Sequence, residues 1–167
     1  MTDERPQPPY RGDERETLLG FLRFLRESVA HKCDGLSEEQ LRSTPTVSTM
    51  SLLGLVNHLA DVERWWFQHV FLGRDVAFDW SDEDPDGEWT VDLDRPSADV
   101  IAAYRAECSA SDEVIAEHDF DALAAKSRSD ETRKSLRWIV VHLVEETGRH
   151  AGHADILREA IDGSTGE

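Results

Sequence analysis

The stretch from Trp138 to Gly163, WIVVHLVEETGRHAGHADILREAIDG, decides the fold. Its apolar residues recur at helical spacing. On a wheel of about 100° per residue with His142 at the origin, Ile139 and Leu157 fall near ~60°, Leu143 and Ile161 near ~100°, and Ala154 near ~120°. This stripe has to face a core, and Glu145, Arg149, Asp155 and Glu159 fall on the opposite, wet side. Glu146, at about 40°, and His150, at about 80°, do not join them. They sit within the apolar stripe, with His142 and His153 at its edge. Two adjacent glutamates therefore have different surroundings, one in water and one turned inward.

An ionised carboxylate buried without a partner is strongly unfavourable, so the chain must supply a cation or a proton. His150 lies one turn beyond Glu146, and two ligands at this spacing recur in metal sites on helices. A neutral Glu–His hydrogen bond is the plainer alternative and stays open on spacing alone. A metal site needs a further donor from another helix. In SLLGLVNHLADVERWWFQHV, residues 51–70, His58 borders the apolar stripe formed by Leu52, Leu55, Leu59, Val62 and Trp66. Taken alone, His58 also fits a hydrogen-bonded boundary histidine. His69 borders the same stripe but lies about 16 Å further along the axis, too far to share one ion with His58.

The rest of the chain is predicted to be helical too. Helix one spans about Asp13 to Lys32, with Leu18, Leu22, Leu25 and Val29 at helical spacing. A short helical segment follows, capped by Ser37. Helix two runs from Ser51 to about Leu72 and stops at Gly73. Helix three is capped by Ser97 and ends near Glu117, with a short helical piece at about Phe120 to Ala125. Helix four runs from about Thr132 to Ile161, ahead of Gly163. Between helices two and three lies GRDVAFDWSDEDPDGEWTVDLDRP, residues 73–96, an acidic crossover carrying Trp80 and Trp89. A connection this long lets successive helices run parallel, and it can also cover a site. The expected fold is all-α: a four-helix bundle with a long crossover between helices two and three. It is expected to form one domain over residues 1–167, with residues 1–12 as a flexible tail.

The net charge of −17 argues against nucleic acid and anionic membranes as partners. No apolar run approaches the ~20 residues of a membrane span, and the N-terminus is too charged for a signal peptide. Cys33 and Cys108 belong to no CxxC motif and read as reduced thiols in a cytoplasmic protein. Arg74, Arg95 and Arg149 are candidate contacts for an anionic substrate, with plain surface charge as the alternative.

SLLGLVNHLADVERWWFQHVFLG at 51–73, together with residues 138–163 and DGLSEEQLRSTP at 34–45, resembles the DinB-like superfamily. It is particularly similar to the actinobacterial branch of mycothiol-dependent S-transferases and maleylpyruvate isomerases. The resemblance implies a DinB-like bundle with a divalent metal held by His58, Glu146 and His150. Zinc is the first expectation, and nickel or iron are alternatives. In many members both ligands on the last helix are histidines; in the maleylpyruvate isomerase branch the first is a glutamate. His153 stands where many members have glutamine. It is the catalytic candidate, as a proton relay or a hydrogen-bonding group for substrate. The implied activity is a metal-dependent thiol S-transferase, in which mycothiol or a similar small thiol attacks an electrophilic small molecule. A non-catalytic metal- or small-molecule-binding bundle acting in stress response, and a metal-dependent hydrolase, are the alternatives. Apolar surface on helices one or three is a candidate homodimer face.

Overall fold

Each long helix begins at a side chain or backbone group that accepts its first amides. In the computed structural model, which describes residues 5–127 and 132–165, α1 spans Glu14–His31. Asp13 accepts from the amide of Glu16, whose carboxylate accepts from the amide of Asp13 in return. Ser37 and Gln40 make the same reciprocal pair at the start of α2, Glu38–Arg42. Ser51 caps α3, Leu52–Glu63, through the amide of Gly54. The chain then widens into a π-helical stretch, Arg64–Phe71, in which the Leu72 amide reaches back five residues to Phe67. Gly73, at φ 73°, takes the left-handed turn that ends it. A single 3₁₀ turn, Gly87–Trp89, interrupts the crossover. It is followed by α4, Ser97–Glu117, and α5, Leu136–Asp162. There is no sheet among the described residues, so the all-α expectation holds. No described helix is long and apolar enough to cross a membrane.

Four local expectations are corrected. The π-helical stretch is one, since apolar periodicity does not report which carbonyl an amide chooses. Ser97 is the first residue of α4 rather than its cap, and its amide and hydroxyl both donate to Glu38 of α2. Residues 120–125 are not helical. The amides of Ala124, Ala125 and Lys126 donate to Lys134, Phe71 and Val70, so tertiary partners replace the helical ones. For the same reason α5 starts at Leu136 instead of Thr132. Ser135 is held in an antiparallel bridge to Leu123, and its hydroxyl caps the helix.

The contacts fix the helix directions. Glu14 meets Arg137 and Lys32 meets Asp155, so α1 and α5 run parallel. Asn57 meets Arg95, Arg64 meets Glu107 and Phe71 meets His118, so α3 and α4 also run parallel, as the long crossover allows. His58 meets Glu146 while Trp66 meets Trp138, so α3 and α5 are antiparallel.

Buried apolar residues form two clusters stacked along the bundle. One gathers Val29, Leu52, Leu55, Leu59, Tyr104 and Leu157. The other gathers Leu22, Phe67, Phe71, Ile115, Leu136 and Leu143. Between them on every long helix stands a buried polar residue: Arg26, Glu63, Ser111 and Thr147. Arg26 grips Glu63 through two bonds of 2.7 and 2.6 Å and reaches Asp112 at 2.7 Å. Glu63 is only 1 % exposed, so it depends on this partner.

Replacing Arg26 with Met is expected to cost about 3–5 kcal/mol, because a charge is left buried alone. The double change Arg26→Met/Glu63→Leu is expected to recover most of that loss. Urea unfolding of the three proteins checks both outcomes. Gly54→Ala is a second test of packing. A Cβ there would press on the Trp89 carbonyl oxygen, so the crossover would have to move off α3. The expected loss is about 1–3 kcal/mol on the same assay.

Candidate metal centre

His58 is carried by the middle of α3, and Glu146 and His150 by the middle of α5. The antiparallel crossing of these helices brings them together. One donor atom from each falls within 4.8 Å of the others. His58 Nε2 lies 3.6 Å and His150 Nε2 3.2 Å from the same oxygen, Oε1 of Glu146. The inward orientation read from the helical wheel is therefore realised for all three side chains. His58 and His150 are buried, and Glu146 is half-buried.

The outer atoms of the cluster are occupied. His58 Nδ1 meets Glu88 Oε1 at 2.7 Å, and the His58 ring stacks on Trp89 with centroids 4.1 Å apart. His150 Nδ1 lies 3.3 Å from His153 Nδ1. The second oxygen of Glu146 accepts from Arg149 at 3.0 Å. Inside the cluster the position differs. His58 Nε2 is buried and has no hydrogen-bond partner, because Glu146 is just beyond bonding reach. A hydrogen-bonded Glu146–His150 pair explains two of the three groups and leaves this nitrogen unexplained. A cation shared by all three would satisfy it.

Electrostatics follow from the same contacts. Burial opposes charge on His58, but Glu146 and Glu88 outweigh it and raise its pKa above the ordinary 6.5. The hydrogen bond from His150 and the nearby imidazole of His58, helped by Arg149, hold the Glu146 carboxyl well below the usual carboxylate range. Burial, then the neighbouring His150 and Arg149, lower the pKa of His153. Half-buried at the edge of the cluster, His153 thus favours its neutral form.

Glu88 escapes sequence reasoning, although the crossover that carries it, with Trp80 and Trp89, is read there as able to cover a site; Trp89 does lie on the His58 ring, and Trp80 does not. The usable signal is chemical: a histidine that gives one nitrogen to a metal usually needs an acceptor for the other. The remaining candidates lie elsewhere. His69 stacks on Trp65 and bonds the Arg74 carbonyl. Trp80 packs on Phe78 and Trp65. Trp66 is half-buried rather than core, against Trp138 and His142. Arg74, Arg95 and Arg149 are paired with Gln68, Asn57 and the two adjacent glutamates.

A family model described as mycothiol-S-transferase matches residues 17–163. None of the curated proteins matches the chain.

The shifted groups set a pH window for the metal-free protein. A histidine whose folded pKa is raised gives stability that is complete below its unfolded value, near 6.5, and lost as pH rises through the folded value. Glu146 acts in the opposite sense, contributing above its ordinary 4.5 and losing that contribution on acidification. With chelator present, the stability advantage of the native chain over His58→Gln is expected to shrink from pH 6 to pH 9. Unfolding curves for the two proteins across that range test it, and a constant difference refutes the assignment.

Proposed function

The chain belongs to the mycothiol-S-transferase family, and on that premise we propose that His58, Glu146 and His150 hold a divalent metal ion beside which a small thiol, mycothiol, is joined to an electrophile. The observation that carries the metal assignment is the unpartnered, buried Nε2 of His58, facing the Glu146 oxygen that His150 also approaches. Two imidazoles and one carboxylate suit zinc, and nickel and iron accept the same donors. Three protein ligands leave an open position, as catalytic sites require. A metal ion bound there supplies the positive charge that makes a thiolate accessible near neutral pH.

The protein's own residues do the rest. Glu88 fixes the ring of His58 through Nδ1, and Arg149 holds the second oxygen of Glu146. Trp89 lies flat on His58 and keeps water from that face. His153, in its neutral form at the edge of the cluster, accepts the proton given up by the incoming thiol. The sulfur electron pair forms the new carbon–sulfur bond, and the electrophile takes up the displaced pair. The chain's own thiols are unsuited to this step. Burial pushes Cys33 up to about 12 and also raises Cys108. The reacting sulfur therefore comes from a co-substrate.

Metal analysis of the native protein and of Glu146→Ala tests the ligand set. Near-stoichiometric metal in the first and little in the second is expected; full occupancy in the variant removes Glu146 from the set. His153→Gln is expected to keep its metal while thiol-dependent consumption of a bimane electrophile falls about 100-fold. Unchanged turnover would take the proton away from His153. A protein that binds metal but never consumes the electrophile faster with thiol is a binding module.

A further inference from the structure

Asn57 precedes His58 in the chain, is 2 % exposed, and faces the crossover. Its amide nitrogen donates to the Glu88 carbonyl oxygen at 2.9 Å and to Asp79 Oδ2 at 2.9 Å. Its oxygen accepts from Arg95 at 3.0 Å. One side chain thus grips the crossover near its start, its middle and its end. Asp61, one turn further on, accepts from the Asp79 amide at 2.8 Å.

The crossover needs such a grip. Residues 73–96 carry nine acids (Asp75, Asp79, Asp82, Glu83, Asp84, Asp86, Glu88, Asp92 and Asp94) against two arginines, Arg74 and Arg95. Like charges at this density repel one another and the rest of a chain of net charge −17. Asn57 offers hydrogen bonds without adding another negative charge. It holds Glu88 by the backbone while the Glu88 carboxylate meets His58 Nδ1, so His58, Glu88 and Asn57 form a closed ring of contacts.

We infer that Asn57 is a positioning residue for His58: by holding the Glu88 carbonyl it sets the Glu88 carboxylate on His58 Nδ1 and the Trp89 ring on the imidazole face. The inference rests on the reading of His58 as a metal ligand. It makes the crossover part of the metal site's support, and it makes metal affinity depend on a side chain that touches no metal. Partners of this kind are typically worth about 10–100-fold in metal affinity.

The test is a double-mutant cycle of Asn57→Ala and Glu88→Gln in the full chain. Zn²⁺ affinity is measured by competition with a chromophoric chelator, and Co²⁺ absorption reports ligand geometry. Each single variant is expected to bind Zn²⁺ about 10–100-fold more weakly and to alter the Co²⁺ spectrum. The double variant is expected to be no weaker than the weaker single one, since both changes break the same support. Losses that multiply, or an Asn57→Ala protein that binds like the native one, overturn the inference while leaving the ligand assignment intact. Unchanged Zn²⁺ binding by His58→Ala removes the ligand reading and the inference with it. If Asn57→Ala does not fold, Arg95→Met takes its place in the cycle. It is expected to weaken binding by a smaller factor, again with no further loss in the Glu88→Gln background.

Discussion

The Glu146 carboxylate is the constraint on which the centre of this bundle depends. It lies on the core-facing side of α5, where an ionised group left alone would be strongly unfavourable. The chain answers with imidazoles on both sides and a guanidinium on the outer oxygen. Those partners come from two helices, so the electrostatics of one side chain also set how α3 lies against α5. An apolar residue at 146 would pack as well as a carboxylate and would ask nothing of α3.

The bundle holds a second charged device, and the contrast between the two is informative. Arg26 and Glu63 face each other through two short bonds, and each offers what the other needs. Nothing in that pair calls for a ligand. The cluster of His58, Glu146 and His150 is built differently, with its outer atoms engaged and one inner nitrogen unmatched. Burial and charge are common to both sites. Incomplete satisfaction inside a cluster of metal-ligating groups sets one that could take a ligand apart from a pair that only holds the fold.

The parts of this architecture that are periodic were legible in the sequence. Glu146 and His150 could be turned inward because Ile139, Leu143, Ala154 and Leu157 define a stripe at the helical repeat, and the structure buries all four. His58 followed from the stripe on α3. What has no period was not legible. Glu88 sits in an irregular crossover among eight other acids, and no spacing rule distinguishes it from them. Residues 120–125 have helix-compatible composition, yet their amides find carbonyls on other segments, which a local pattern does not encode. The π-helical stretch was hidden likewise, because a run of Trp65, Trp66 and Phe67 is apolar whether each amide reaches four residues back or five.

Charge balance gives a reason for a glutamate in the proposed ligand set. A dication beside Glu146 and backed by Glu88 would form a group with little net charge, lying in a protein whose overall charge is −17. A thiolate arriving there, as proposed, would bring a negative charge into a field that already disfavours anions. Three neutral ligands would leave more of the ion's charge to offset it, at the cost of a site that is harder to fill and to keep when the thiol is absent. Arg149 moderates this compromise. Bound to the outer oxygen of Glu146, it draws negative charge away from the oxygen that faces the histidines. In the proposed site the carboxylate would then retain the ion without cancelling the positive charge on which thiol activation would depend.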